Sequence, residues 1–114
     1  MNIDYEALFK QSLLTFLTTL KDTGVEIMPE LEQSVGETIT LLIKNLREIV
    51  QLLHNKQIGV AEADTLMDLQ RDAWQGQLLL LRGVSEVILQ KSMNVTWDFI
   101  KTAIGVVLKG VAFS

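Results

Sequence analysis

Between Pro29 and His54 the chain carries six large apolar residues spaced alternately four and three positions apart. An α-helix turns once every 3.6 residues, so this spacing puts all six on one stripe that must be buried against other helices. A half-buried strand would need apolar residues with a period of two, which the segment lacks. The stripe predicts a helix over 29–54, and Pro29 suits its first position because the missing N–H has no intrahelical partner there. The six residues are Val35, Ile39, Leu42, Leu46, Ile49 and Leu53.

The same helical period continues through the rest of the chain, and the full sequence contains only one proline and seven glycines. Gly24 suits the left-handed conformation that ends many helices, so it predicts the end of a first helix. Asn94 is a favourable residue at the N-cap of a helix, so we predict a break between two helices at Ser92–Asn94. The alternative is one long helix that continues across this position. Because the connections are short, we expect one all-α domain over 1–114, an antiparallel bundle of three to four helices. The predicted helices cover about 3–23, 29–54, 60–91 and 94–113.

Apolar residues at helical spacing in each segment form the predicted core of this bundle. Gly76 and Gly83 interrupt the third segment, although a glycine inside a helix costs about 1 kcal/mol relative to alanine. We interpret both glycines as places where another helix comes close. The predicted core residues are Phe9, Leu13, Phe16, Leu20, Val35, Ile39, Leu42, Leu46, Ile49, Leu53, Leu66, Leu81 and Ile88.

The apolar residues are concentrated towards the end of the sequence. Residues 73–114 contain six charged residues, whereas residues 1–37 contain nine. In the segment 94–113 the polar positions make one narrow stripe, and four helices alone cannot easily bury the remaining surface. Trp74 and Trp97 are suited to anchor either the core or a contact between subunits. The predicted oligomer interface consists of Trp74, Gly76, Leu80, Gly83, Val87, Trp97, Phe99, Ile100, Ile104, Val107 and Val111.

The charges of the chain argue against several classes of partner and location. Fourteen acidic and ten basic residues give a net charge of −4, and no basic patch predicts binding to nucleic acid. Asp98, Lys101 and Lys109 interrupt the most apolar segment, and each charge near the centre of a membrane-spanning helix costs about 2.5–3.5 kcal/mol. The chain has no cysteine and begins with acidic residues, so we expect a cytoplasmic protein rather than a secreted one.

No pattern in the sequence predicts catalysis. His54 is the only histidine, and without cysteine the chain offers few ligands for zinc. Asp64, Asp68 and Asp72 recur every four residues on one face of a helix, which we interpret as a solvated face. A nucleophile elbow and a phosphate-binding loop are both missing from the sequence. We expect a non-enzymatic protein with no catalytic residue, no metal and no cofactor.

Two short segments resemble those of known families. Trp74-Gln75-Gly76 resembles the motif of the small WxG secretion family, in which the motif marks the turn between two helices. Here it lies within a helical pattern, and the tyrosine signal of that family does not follow it, because Tyr5 is the only tyrosine. The segment 66–70, Leu-Met-Asp-Leu-Gln, is similar to the amphiphilic helices of phasins, which coat storage granules.

Taken together, these patterns predict a non-catalytic interaction or scaffold module. We expect it to associate with itself as a dimer or larger homo-oligomer through its apolar C-terminal helices, with another helical protein as a further partner. The alternative is a protein that binds a membrane or lipid surface through the amphipathic segment 95–113, with Lys101 and Lys109 on its polar side. A third hypothesis is a small apolar ligand held between helices. Its pocket would be lined by Phe9, Phe16, Met67 and Trp74.

Overall fold

The structure is a computed structural model that describes residues 3–113, with side chains described up to Val106. It consists of four α-helices that pack into a bundle with extents of 45 × 23 × 18 Å. No strand occurs within the described range, so the expectation of an all-α helical bundle is confirmed. The helices are α1 (Tyr5–Asp22), α2 (Pro29–His54), α3 (Val60–Leu78) and α4 (Glu86–Phe113).

Pairs of contacts show that α1 and α2 run in opposite directions. The Arg47 guanidinium carbon lies 5.2 Å from the centre of the Tyr5 ring, and further along Leu13 lies against Gly36. Residue numbers therefore rise along α1 while they fall along α2. The most extensive packing in the bundle is between α1 and α4, and the next is between α2 and α3.

Two side-chain hydrogen bonds fix the register between α2 and α3. The Asn45 amide donates to Gln70 Oε1 at 2.9 Å, and Trp74 Nε1 donates to Thr38 Oγ1 at 3.1 Å. The order of the partners is again reversed, so these helices are also antiparallel. Both bonds satisfy polar groups beside the core, where an unpaired donor would cost about 1–3 kcal/mol.

The first helix begins two residues later and ends one residue earlier than the predicted 3–23, and local sequence signals mark both of its ends. Asp4 precedes α1, and its carboxylate accepts a hydrogen bond from the Ala7 amide at 3.0 Å. At the other end Gly24 has a φ of +88°, and its amide donates to the Lys21 carbonyl at 2.9 Å. This conformation satisfies carbonyls that the helix would otherwise leave free, which confirms the prediction for Gly24.

The second helix has the predicted bounds and a similar end without a glycine. Pro29 occupies its first turn, and His54 is its last residue. Lys56 then adopts a φ of +59°, while its amide donates to the Leu53 carbonyl at 3.0 Å. A left-handed backbone conformation is unfavourable for a residue with a Cβ atom, so Lys56 is a site of local strain in the connection to α3.

The break between the last two helices lies earlier than predicted. The chain leaves the helical conformation after Leu78, and Gly83 adopts a φ of +87° in the connection. Ser85 then precedes α4 and caps its start, because its hydroxyl accepts a hydrogen bond from the Ile88 amide at 3.3 Å. The predicted break at Ser92–Asn94 is therefore wrong, and so is the single long helix. Asn94 lies on the exposed side of α4.

The apolar stripe of α2 is the centre of the core. All six of its residues are buried, with at most 6% of their surface exposed, and Phe16 and Leu20 of α1 are fully buried beside them. Five other predicted core residues are half-buried and pack against the margin of this core. The five marginal residues are Phe9, Leu13, Leu66, Leu81 and Ile88.

One side-chain hydroxyl on α1 and one on α4 are buried without a hydrogen-bond partner among the described residues. Ser12 of α1 and Thr96 of α4 are fully buried, and neither hydroxyl forms a hydrogen bond with the described residues. Ser92 is also buried, but its hydroxyl donates to the Ile88 carbonyl at 3.0 Å. An unpaired buried hydroxyl costs free energy of folding, so each of these two side chains is a local source of instability.

We expect Lys56→Gly to be more stable than Lys56→Ala by about 1 kcal/mol, because glycine adopts the left-handed conformation without steric strain. Both variants remove the same charge near the end of α2, so their difference isolates the backbone term. Urea unfolding followed by circular dichroism measures it. Equal stability of the two variants would contradict the assignment of strain to Lys56.

We expect Thr96→Val to raise the free energy of unfolding by about 1 kcal/mol, because valine has nearly the same shape and no hydroxyl to leave unpaired. Thr19→Val is the matched control: the Thr19 hydroxyl donates to the Thr15 carbonyl at 2.9 Å, so its loss brings no gain. Thermal and urea unfolding of both variants checks this. A destabilised Thr96→Val protein would show that the hydroxyl has a partner.

Candidate functional site

Four of the residues predicted for the oligomer interface lie inside the bundle instead. Trp74, Trp97, Ile100 and Ile104 are buried, with at most 4% of their surface exposed. The Trp74 ring packs against Phe16, with ring centres 6.1 Å apart and an angle of 57° between the planes. These side chains form the core of one chain, which corrects the expectation that they face a partner. Phe99 is half-buried and packs against the same core.

The two glycines of the predicted interface are not places where another helix of this chain comes close. A Cβ atom added at Gly76 or at Gly83 would have no neighbour within 4 Å. Gly83 is needed for its positive φ in the connection, and Gly76 lies exposed near the end of α3. The interpretation of both as contacts between helices is therefore wrong within the chain. Val107 and Val111 lie outside the residues whose side chains the structure describes.

The remaining predicted interface residues are the most exposed large apolar side chains described. Leu80 is 80% exposed in the connection between α3 and α4, and Val87 is 79% exposed in the first turn of α4. Met28 and Leu79, which the sequence did not single out, are also exposed at this end of the bundle. We call Met28, Leu79, Leu80 and Val87 the turn patch. In the sequence, Gly83 and Ser85 could have revealed this patch, because together they mark a connection between two helices.

A groove of about 470 Å³ lies beside the turn patch, between the α1–α2 and α3–α4 connections. Its floor is apolar, and its rim carries the carboxylates of Glu26 and Glu30 and the guanidinium of Arg82. Met28 and Leu80 belong both to the groove and to the turn patch. The other apolar residues of the groove are Val25, Leu31, Leu81 and Val84.

A second groove, of about 330 Å³, lies between α1 and α2 near the start of α1. Phe9 and Tyr5 of α1 and Ile43 of α2 supply its apolar surface, and Lys44 and Arg47 stand beside them. Partial burial raises the pKa of the Tyr5 hydroxyl above 10.0, and the Arg47 charge acts in the opposite direction. The tyrosine side chain is therefore neutral at physiological pH.

The polar residues that the sequence singled out are spread over the surface. Asp64, Asp68 and Asp72 are exposed along α3, and His54 is exposed at the end of α2. Among the described residues no group of three acidic, histidine or cysteine side chains is placed to hold a metal ion. The same part of the chain contains no helix with both the length and the apolar character needed to cross a bilayer.

No known protein family, curated protein or solved structure matches this chain. The two resemblances of short segments therefore find no support in longer similarity. In the structure Trp74-Gln75-Gly76 lies within α3 and not in the turn between two helices.

We expect Tyr5 to titrate above its ordinary pKa of 10.0, because burial disfavours the charged phenolate. Raising the pH through that pKa then removes stability, since the unfolded chain loses the proton more easily. Because Tyr5 is the only tyrosine, the absorbance of tyrosinate during a pH titration reports this group alone. Arg47→Gln should raise the pKa further. A native-state pKa at or below that of the urea-unfolded chain would contradict the burial effect.

Proposed function

We propose that this chain is a non-catalytic self-association module and that the turn patch forms its contact with a second copy. The observation that carries the proposal is the exposure of Leu80 and Val87, each about four-fifths accessible on a domain whose other helices bury their apolar stripes. Single exposed apolar residues are ordinary, but Met28 and Leu80 border one apolar groove, which is typical of an interaction site. A partner surface removes these exposed side chains from water.

The energetics favour such a contact. Burying a leucine or valine side chain completely contributes about 1.5–3 kcal/mol, so Leu80 and Val87 from two copies supply a substantial part of a dimer's free energy. The adjoining groove adds apolar surface from Val25 and Leu31, which are half-buried in the single chain. Large apolar side chains at the centre of a contact dominate its stability, while the polar rim excludes water.

The charges near the turn patch determine how the association depends on salt. Glu26 and Glu30 line the groove, and Glu86 begins α4 beside Val87. In a two-fold dimer the same surface of each copy meets, so both copies bring these carboxylates to the contact. Arg82 offsets only part of this repulsion. Added salt screens the like charges and strengthens the dimer.

The alternative of a membrane-binding segment at 95–113 has less support. Trp97, Ile100 and Ile104 provide the apolar face of this segment, and all three are buried in the bundle. An amphipathic helix binds a lipid surface through its apolar face, so this mode requires α4 to leave its position against α1. Binding to another helical protein and a cytoplasmic location stay predictions.

We expect sedimentation velocity and light scattering of the full chain to show a dimer or larger oligomer, and we expect Leu80→Glu combined with Val87→Glu to convert it to a monomer. The charges are placed on exposed positions, so the fold is retained. Leu14→Glu is the matched control, because Leu14 is 65% exposed on α1 and lies outside the turn patch. This variant should associate as the parent chain does.

A monomeric parent chain across the accessible concentration range would overturn the proposal. Loss of association in Leu14→Glu as well as in the double variant would also overturn it, since the turn patch would not then be the contact. Circular dichroism of each variant confirms that the helices are intact. Liposome flotation of the parent chain tests the lipid alternative independently.

A further inference from the structure

The groove between α1 and α2 combines an apolar floor with two cationic groups. Phe9 and Tyr5 are half-buried, and Ile43 is buried beneath them with 6% of its surface exposed. Lys44 and Arg47 are exposed on α2, three residues apart, so they stand on adjacent turns of one helix face. The groove therefore presents apolar and cationic surface within the reach of one small molecule.

Neither cation is paired with a carboxylate of the described chain. No acidic side chain in residues 3–106 lies within 4.0 Å of Lys44 or Arg47. The acidic side chain that lines the groove is Glu6, and it forms an ion pair with Lys10 at 3.2 Å. Lys44 and Arg47 therefore place two positive charges beside an apolar floor, in a chain whose net charge is −4.

Arg47 makes a cation–π contact with Tyr5, which restrains the position of the guanidinium. The guanidinium carbon lies 5.2 Å from the centre of the ring, within the distance of a cation–π contact. The five N–H groups of arginine lie in the plane of the guanidinium, and they match the two oxygens of a carboxylate. An arginine already positioned loses less side-chain freedom when it binds an anion.

We propose that the α1–α2 groove binds a small amphiphile, a carboxylate with a medium-length aliphatic chain. The carboxylate is held by Arg47 and Lys44, and the aliphatic chain lies on Phe9 and Ile43. Charge complementarity fixes the head group, because a carboxylate satisfies both cations through charge-assisted hydrogen bonds. The apolar floor fixes the rest of the molecule, because it offers an aliphatic chain a surface away from water.

The size of the groove limits the ligand. Its volume of about 330 Å³ is at the lower end of the range of roughly 300–1,000 Å³ typical of small-molecule sites. A medium-chain carboxylate such as decanoate suits this volume better than a long-chain lipid. The groove lies near the start of α1, whereas the turn patch lies where α3 gives way to α4. This proposal therefore does not depend on self-association.

Isothermal titration calorimetry of the full chain with decanoate tests the proposal, with decanol as the neutral probe of equal chain length. We expect decanoate to bind and decanol to bind at least tenfold more weakly, since the alcohol cannot form charge-assisted hydrogen bonds with the two cations. Lys44→Gln with Arg47→Gln should weaken decanoate binding by tenfold or more. Lys91→Gln is the matched control, because Lys91 is an exposed lysine of α4.

Three results would overturn the proposal: no binding of decanoate, equal binding of decanol, or unchanged binding in the double variant. The comparison of the two probes uses only the parent chain, so it decides the matter even where a variant is unstable. A second readout is the absorbance of Tyr5, the only tyrosine, which should change on binding of decanoate in the parent chain and not in the double variant.

Discussion

The burial of the α2 stripe is the constraint on which the rest of the bundle depends. Its six apolar residues are nearly inaccessible to water, and α2 packs against each of the three other helices. The hydrogen bonds from Trp74 to Thr38 and from Asn45 to Gln70 set the position of α3 along this stripe. The apolar stripe supplies non-directional driving force, and the two bonds beside it select one register.

The sequence was sufficient for α2 because several local signals agree there. Pro29 marks the start, the apolar residues keep one period without interruption, and the pattern stops at His54. The end of α3 was missed because Leu78–Leu81 continue the helical period beyond the last helical residue. Periodicity alone cannot separate a helix from an apolar connection of that length. Gly83 and Ser85 carried the deciding information, through a positive φ and a helix cap.

Periodicity alone also explains why only some of the predicted interface residues are exposed. Core and interface both require large apolar residues on one helix face, so the sequence could not tell whether Trp74 or Trp97 faced its own bundle or a partner. The structure buries both. Leu80 lies in the connection and Val87 in the first turn of α4, so the two do not belong to the one continuous helix face that the predicted segment 60–91 assumed. Their exposure follows from the position of the break, which the sequence-based boundaries misplaced.

The two surfaces proposed here differ in charge although both rest on apolar side chains. The turn patch adjoins Glu26 and Glu30, whereas the α1–α2 groove carries Lys44 and Arg47. Salt screens repulsion at the first surface and attraction at the second. A rise in ionic strength therefore strengthens self-association through the turn patch and weakens carboxylate binding in the groove. Their contributions are therefore separable in the intact chain. The net charge of −4 describes neither surface, because the placement of a few side chains on each helix decides the local field.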